Sequence, residues 1–273
     1  MRQPASSVLR VAVSGAAGRM GRTVVRAVAQ EEDLRLVAAF GHARALGEDA
    51  GEVAGVGPLG IPIRPAEEIE GLVADVLVDF TAGPATVTNA LRAVRRGVRP
   101  VVGGTGYDPA TLGALERACG EQGLGGVVAP NFALGAALMM RFAGLAARHF
   151  PHVEIVELHH DQKKDAPSGT ALRTAQLIAS ARAALPERAV QETETVPGAR
   201  GGVWEGVRVH SVRLPGLVAH QEVVFGGPGQ VLRIRHDAVS EEAYVPGILL
   251  AIRRVMELDR LVVGLENLLP LEG

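Results

Sequence analysis

Lysine is nearly missing from this chain of 273 residues: Lys163 and Lys164 are the only two among 28 lysine and arginine side chains. Aromatic residues make up only 3% of the sequence, so a core must be built mainly from valine, leucine, alanine and isoleucine. Cys119 is the single cysteine, which excludes a disulfide framework within the chain and suits a reducing cytosol.

Long apolar runs and an excess of one charge are missing as well. No uninterrupted apolar stretch is long enough to span a bilayer, and the first residues do not form a signal peptide. The formal net charge of -2 offers no basic surface to a nucleic acid or an anionic membrane. These absences predict a soluble, cytoplasmic protein that binds neither nucleic acid nor membrane.

The first half of the sequence alternates short apolar runs with helical patterns. Strands are predicted over 9–15, 34–40, 74–81, 99–106 and 125–132. Helices are predicted over 20–30, 85–97 and 108–123. This alternation predicts an α/β fold with a parallel sheet and helices on both faces. Residues 41–73 are richer in glycine and proline and give no clear element.

The second half has a different pattern. A strand is predicted over 153–160 and a helix from Ser168, and three strand-like runs then follow with glycine-rich breaks and no helix between them. That succession predicts an antiparallel or mixed sheet in an α+β domain. We predict one domain over 1–130 and another over 131–240, with the helical tail of 241–273 packing back on the first.

A glycine-rich loop, SGAAGRMGR at 14–22, joins the first predicted strand to the first helix. A dinucleotide's pyrophosphate needs free backbone N–H groups, the positive end of a helix dipole and no Cβ in the way. Gly15, Gly18 and Gly21 meet these needs in the spacing GxxGxxG, a variant of the GxGxxG fingerprint. Tight packing between strand and helix is the alternative interpretation.

The end of the second strand bears on the choice of cofactor. NAD-binding domains often carry an acidic residue there, and this chain has none between Phe40 and Arg44. The missing carboxylate would not repel a 2′-phosphate, and His42 or Arg44 would attract one. The segment therefore favours NADPH, or the use of both NADPH and NADH, with an ordinary loop as the alternative.

Two further loops follow predicted strands and are candidates to flank a nicotinamide. They are Gly103-Gly104-Thr105-Gly106 and Ala129-Pro130-Asn131-Phe132. Ligands of open α/β sheets bind at the carboxyl ends of the strands, which is where both loops begin.

The densest cluster of polar residues is HHDQKKDAPSG at 159–169, which contains both lysines of the chain. Histidine can act as acid or base near neutral pH, and a compact lysine ammonium can donate a proton. Ser168 or Thr170 can cap the helix that follows, so that the N–H groups of Gly169 and Thr170 form a cradle for a carboxylate. His160 or Lys163 would add positive charge. A solvated charged loop is the alternative.

The cluster and its surroundings resemble a known family, the 4-hydroxy-tetrahydrodipicolinate reductases (dihydrodipicolinate reductases). The similarity rests on Glu157 to His160, Lys163 and the run from Asp165 to Ala171. It extends to GAAGRMGR, DFT at 79–81, GGTGYD at 103–108, APNFALG at 129–135, AHQEVVFGGPG and RIRHD. The resemblance therefore covers nearly the whole chain.

The resemblance implies a homotetramer with a Rossmann-like dinucleotide-binding domain and a mixed-sheet domain for substrate binding and oligomerisation. The implied activity is NAD(P)H-dependent reduction of 4-hydroxy-tetrahydrodipicolinate, a dicarboxylate, in diaminopimelate and lysine biosynthesis. His159 and Lys163 would be the proton-transfer groups, and His160, Gly169 and Thr170 would hold a substrate carboxylate. The implied cofactor-lining residues are Gly15, Ala16, Ala17, Gly18, Arg19, Met20, Gly103, Gly104, Thr105, Ala129, Pro130, Asn131 and Phe132.

The chain departs from the family pattern at several positions. Gly41 and His42 replace an acidic residue and an arginine that are frequent in the family, which leaves the preference between NADPH and NADH open. Gly104 stands where threonine is usual, and Ala82 where some members have arginine. Lys164 has no role that the resemblance supplies.

Other functions are less consistent with the sequence. Cys119 lies in a helical stretch with no adjacent histidine and is interpreted as a packing residue, which argues against a thiol-dependent semialdehyde dehydrogenase. The remaining histidines show no metal-binding spacing, so no metal site is predicted. A different amino-dicarboxylate dehydrogenase and a catalytically silent dinucleotide sensor remain the alternatives.

Overall fold

The computed structural model describes residues 8–42, 45–104, 108–182 and 193–269. The chain forms two compact units: one comprises the residues up to Phe132 and those from Tyr244 onward, and the other is Ala133–Ala243. The first holds a parallel sheet with helices and the second a mixed sheet, which confirms the predicted fold class. No helix within the described ranges is long and apolar enough to cross a membrane.

The first unit is built on a seven-stranded sheet whose paired strands are all parallel. Its strands are β1 Leu9–Ser14, β2 Leu34–Gly41, β3 Ile63–Pro65, β4 Val76–Asp79, β5 Arg99–Val102, β6 Gly126–Val128 and β12 Leu261–Val263. The spatial order is β12-β6-β5-β4-β1-β2-β3. Val11, Val13 and Leu77 in the central strands are fully buried, as a parallel sheet covered on both faces requires.

The helices of the first unit begin and end at residues that the local sequence explains. They are α1 Arg19–Gln30, α2 Ala50–Ala54, α3 Pro84–Arg95, α4 Pro109–Gln122 and α7 Val245–Arg254. Shorter 3₁₀ turns cover Ala66–Gly71, Val255–Glu257 and Leu265–Leu268. For α4, the Asp108 carboxylate accepts a hydrogen bond from the Thr111 N–H at 2.8 Å, and Gly123 ends the helix at a φ of 59°.

Three of the predicted strands, 74–81, 99–106 and 125–132, are longer than the strands in the structure. The strands end at Asp79, Val102 and Val128. After β4 the Thr81 N–H donates to the Asp79 carboxylate, whereas glycines follow β5 and a proline follows β6. A proline cannot donate to the sheet ladder and a glycine has no side chain to pack, so neither extends a strand well.

The segment over 41–73, whose sequence pattern indicates no clear element, contains α2, β3 and a 3₁₀ turn. Asp49 organises it, because its carboxylate accepts four backbone N–H hydrogen bonds at 2.8–3.1 Å. The donors are Gly51, Glu52, Leu59 and Ile61.

In its described residues, the second unit contains a five-stranded mixed sheet and two α-helices. Its strands are β7 His152–His159, β8 Gly202–Trp204, β9 Val207–Arg213, β10 Ala219–Gly227 and β11 Gln230–Ala238, and its helices are α5 Leu134–Ala146 and α6 Gly169–Ala181. The order is β11-β10-β7-β9-β8, in which only β7 and β9 run parallel. A 3₁₀ turn covers Glu241–Tyr244.

The core of the second unit lies on the face of the sheet that packs against α5 and α6. Alternate residues of β7, Val153 and Ile155, join this core with Met139, Ile178 and Phe225. The next residue with the same alternation in β7 is Glu157, so the strand places a carboxylate on the side that it otherwise uses for apolar packing.

Candidate active site

The loop between β1 and α1 has the close backbone packing that its glycines predict. Gly15 has a φ of 77°, and a Cβ there would lie 3.2 Å from the main chain of Phe80. A Cβ on Gly21 would collide with the main-chain oxygen of Gly15. Strand and helix therefore approach to a distance that only glycine permits.

The start of α1 is suited to an anion. Gly18 is the N-cap residue and supplies no side-chain hydrogen bond to the first turn, whose N–H groups have no acceptor within the helix. Ala16 is buried and its N–H donates to the Phe40 carbonyl at 3.0 Å, while Gly18 and Arg19 are exposed. The surroundings of this turn fit a dinucleotide pyrophosphate, which binds to N–H groups and to the positive end of a helix dipole.

Phe80, a residue with no role among the sequence-based predictions, contacts the loops that follow three other strands. Its main chain lies against Gly15, a Cβ on Gly103 would collide with its ring, and that ring packs on Phe132 at 5.8 Å between centroids. A Cβ on Gly104 would collide with the carbonyl oxygen of Thr81, so any side chain at this position would require the main chain to shift. In the sequence, the DFT motif at 79–81 was the one feature that could have pointed to Phe80.

A buried polar network holds the DFT turn. The Asp79 carboxylate accepts hydrogen bonds from Thr81 N at 2.8 Å, from Thr81 Oγ1 at 2.6 Å and from Asn89 Nδ2 at 3.0 Å. Asn89 also donates to Ser14 Oγ at 3.2 Å, which joins β1 to β4. Burial raises the pKa of Asp79 despite these hydrogen bonds.

The remaining predicted cofactor residues follow strands of the same parallel sheet. Ala129 follows β6, and its N–H donates to Val102 at 2.9 Å. Ala17, Met20 and Asn131 are half-buried and Pro130 is exposed. His42 is exposed directly after β2, whereas Arg44 and Thr105 lie outside the described residues.

The predicted substrate residues occur together in the second unit. His159 ends β7, His160 and Lys163 lie in the loop that follows, and Gly169 and Thr170 form the first turn of α6. Ser168 rather than Thr170 caps α6, since its Oγ accepts a hydrogen bond from Ala171 N at 3.2 Å. First-turn N–H groups have no acceptor within the helix, which suits a carboxylate.

Charged partners surround both candidate proton-transfer groups. His159 Nδ1 lies 2.5 Å from Glu157 Oε2, and Lys163 Nζ lies 2.8 Å from both carboxylate oxygens of Asp165. The Arg213 guanidinium forms two hydrogen bonds to Glu157 at 2.8 and 3.0 Å. Neither Glu157 nor Arg213 has a role among the sequence-based predictions. Glu157 could have been found from the sequence, because it continues the alternation of inward-facing residues in β7. No local pattern pointed to Arg213.

Cys119 is completely buried in α4, in agreement with the interpretation that it is a packing residue. Burial raises the pKa of its thiol to about 11. Among the described residues, no group of three or more His, Cys, Asp and Glu side chains is arranged to hold a metal ion.

Because the thiolate is the reactive form, native Cys119 is expected to resist alkylation. Iodoacetamide at mildly alkaline pH should leave the native protein unmodified over the time in which it fully labels the protein unfolded in urea, as read by intact-mass spectrometry. Rapid labelling of the native protein would contradict the burial of this residue.

A glycine-lined helix start at the carboxyl edge of a parallel sheet, in a chain that also holds a His–Lys loop, defines a dinucleotide-dependent oxidoreductase. The family model of the dihydrodipicolinate reductase N-terminus matches residues 9–132, and that of its C-terminus matches residues 135–269. This chain belongs to the dihydrodipicolinate reductase family.

Individual relatives agree with this assignment. The 4-hydroxy-tetrahydrodipicolinate reductase of Desulfitobacterium hafniense is 52% identical over 264 residues, which cover 96% of this chain and 98% of the relative. That of Moorella thermoacetica is 52% identical over 267 residues, with the same coverage of 96% and 98%. The structure of the dipicolinate-bound dihydrodipicolinate reductase from Paenisporosarcina sp. TG-14 is 42% identical with a TM-score of 0.83, covering 96% of this chain and 100% of that one.

Proposed function

We propose that this chain catalyses the reduction of 4-hydroxy-tetrahydrodipicolinate to tetrahydrodipicolinate in diaminopimelate and lysine biosynthesis. The reaction consumes the substrate, one reduced nicotinamide and one proton, and it releases the product, the oxidised nicotinamide and one water. The observation that carries the proposal is the strand–loop–helix segment from His159 to Thr170, which combines two proton-transfer side chains with a helix start. Full-length similarity to relatives named for this reaction supports it.

Within this proposal His159 and Lys163 transfer protons. Because the Glu157 carboxylate accepts the hydrogen at His159 Nδ1, the opposite nitrogen, Nε2, exchanges a proton with substrate. Lys163 has a side chain that is 21% exposed and supplies a second ammonium donor. A negative charge that develops on the reacting ring is neutralised by these two donors.

The substrate carboxylates are assigned to His160 and to the first-turn N–H groups of Gly169 and Thr170. A helix N-terminus stabilises a carboxylate through its first-turn N–H groups and the positive end of the helix dipole. The Paenisporosarcina reductase was solved bound to dipicolinate, a planar dicarboxylate, which supports a dicarboxylate site in this family.

The first unit is assigned to NADPH or NADH, which supplies the hydride when bound. Gly15 to Met20 would hold the pyrophosphate, and Gly103, Gly104 and Thr105 together with Ala129 to Phe132 would line the nicotinamide. The use of NADPH is supported by the end of β2, where Gly41 replaces an acid and a Cβ would lie 2.9 Å from Ile63 Cγ2. His42 would then lie near the 2′-position of the adenosine ribose.

The second unit is also assigned to oligomerisation, as a cytoplasmic homotetramer. Its edge strands β8 and β11 expose apolar side chains that a monomer would leave in water. They are Val203, Trp204, Val231 and Leu232, which are 62%, 48%, 62% and 36% exposed.

The direct test measures NADPH and NADH oxidation with substrate formed in place from pyruvate and aspartate semialdehyde. We expect turnover with NADPH, and the ratio of the two kcat/KM values gives the cofactor preference. Dipicolinate should inhibit competitively against the substrate. Nucleotide binding without turnover would contradict the proposal and favour the silent sensor, whereas turnover only with another amino-dicarboxylate would favour the other dehydrogenase.

A further inference from the structure

We propose that Glu157 and Arg213 are positioning residues that hold His159 and Lys163 in their working arrangement. The inference rests on the proposed function, since it concerns the same two proton-transfer groups. Its structural basis is a chain of contacts in which one guanidinium connects the carboxylate behind His159 to the loop that carries Lys163.

The contact between Glu157 and His159 fixes the tautomer of the imidazole. Both side chains lie on the same face of β7, because they are two residues apart, and the Glu157 side chain is fully buried. Burial by itself would raise the pKa of Glu157, but hydrogen bonds from His159, Arg213 and Ser211 outweigh it and lower the pKa to about 2. An ionised carboxylate only accepts hydrogen bonds, so Nδ1 of His159 carries the hydrogen and Nε2 is left for proton exchange.

Arg213 stabilises the buried carboxylate from the neighbouring strand. The parallel register of β7 and β9 places Arg213 beside His159, and both terminal nitrogens of the guanidinium donate to Glu157. A buried carboxylate without a partner would be strongly destabilising, so Glu157 depends on this bidentate contact.

The same guanidinium also fixes the loop after β7. Arg213 Nη2 donates to the main-chain oxygen of Asp165 at 2.7 Å, and the Asp165 carboxylate holds the Lys163 ammonium at 2.8 Å. Arg213 thus links both proton-transfer groups through one rigid, planar group. A lysine at this position could not contact both Glu157 oxygens and the Asp165 carbonyl at once, because its single ammonium lacks the spread of the guanidinium donors.

Among the described residues around His159, no other charged side chain takes the place of Glu157 or Arg213 in these contacts. The β10 residues opposite His159 and Glu157 are Ala219 and Gln221, which carry no charge. The charged or titratable groups on the remaining elements around the pair, β9, the loop after β7 and α6, are Arg208, His210, Arg213, His160, Asp161, Lys163, Lys164, Asp165 and Arg173. Arg208 and His210 alternate with Arg213 along β9 and therefore lie on the opposite face of the strand, where His210 contacts Glu154.

The first test uses Glu157→Gln, which keeps the shape of the side chain and removes its charge. We expect kcat to fall by about 10- to 100-fold while the substrate KM changes less than about twofold. The pH–rate profile is expected to change as well, because the substitution removes the negative charge beside the proton-transfer group.

The second test uses Arg213→Lys, which keeps a positive charge next to Glu157 and so preserves the fold. We expect about a tenfold loss in kcat with an unchanged KM for the nucleotide, because the contact to Asp165 is lost. The matched control is Glu154→Gln, from the opposite face of β7, where Glu154 also pairs with an arginine and a histidine, Arg200 and His210. The Glu154→Gln variant should have the same pH–rate profile as the wild type. Its oligomeric state should be measured in the same experiment.

A third measurement does not depend on turnover. Nitrogen-15 NMR of histidine-labelled wild-type protein, with His159 assigned by comparison with His159→Gln, should show a hydrogen at Nδ1. A hydrogen only at Nε2 would overturn the inference, as would unchanged kcat and pH profiles in both Glu157→Gln and Arg213→Lys. A wild-type protein that shows the Nδ1 hydrogen but no turnover would contradict the proposed function and leave the positioning contact in place.

Discussion

Replacement of His159 by glutamine is expected to lower kcat by about 1,000-fold. Glutamine has a similar size and its amide can still donate to Glu157, but it cannot transfer a proton near neutral pH. Because the interaction with Glu157 is retained, the fold and nucleotide binding should be unaffected. The measurement is steady-state oxidation of NADPH over a range of pH, with nucleotide affinity determined separately by fluorescence titration.

The matched control for this variant is His149→Gln. His149 is exposed just after α5, and no role in the site is assigned to it. Its substitution should change kcat less than about twofold, which would show that loss of a histidine as such is not responsible. If His159→Gln retained a tenth or more of the wild-type kcat, His159 would not be a proton-transfer group.

Removal of the Lys163 side chain is expected to lower kcat/KM by about 100- to 1,000-fold. Lys163→Ala loses both a proton donor and the positive charge that attracts a carboxylate, so kcat should fall and the substrate KM should rise. The Asp165 carboxylate holds this ammonium at 2.8 Å. Burial would raise the pKa of Asp165, but the hydrogen bond from Lys163 outweighs it and lowers that pKa, so the ion pair persists to a pH below the usual range of aspartate.

The adjacent lysine supplies the control for Lys163. Lys164 is exposed and forms no ion pair with another of the described residues, so Lys164→Ala should keep near-wild-type kcat/KM. Lys163→Arg separates the two contributions, because arginine keeps the charge but gives up its proton far less readily. The substrate KM of Lys163→Arg should therefore be close to the wild-type value, whereas its kcat should stay close to that of Lys163→Ala. Equal losses in Lys163→Ala and Lys164→Ala would show a general charge effect instead of a specific donor.

The features that could be predicted from the sequence are those encoded within a short stretch. The glycine spacing between Gly15 and Gly21 is local, and so is the strand–loop–helix pattern from His159 to Thr170. Both predicted elements are present in the structure, and their functional roles remain proposals. Residue type restricted the N-cap of α6 to Ser168 or Thr170. The structure identifies Ser168 as the cap, because its Oγ accepts the hydrogen bond from Ala171 N.

The features that could not be predicted depend on distant residues or on weak patterns. Arg213 contacts Glu157 across 56 positions of sequence, through a strand pairing that no local motif reveals. The α5 sequence is apolar nearly throughout, so no helical face stands out, and β12 has only three residues, too few for a periodic pattern. The collision that excludes a Cβ at Gly104 also appears only once β4 and β5 are side by side.

The position of β12 in the sheet has a consequence for the order in which the protein assembles during synthesis. β12 pairs with β6 at the edge of the seven-stranded sheet, yet its residues are translated after the whole of the second unit. When β6 leaves the ribosome its outer edge therefore has no partner strand. It stays unpaired while more than a hundred further residues, Ala129 to Arg260, are added. The second unit, which is continuous in sequence, can complete its own sheet first. The first unit begins the chain but is finished last.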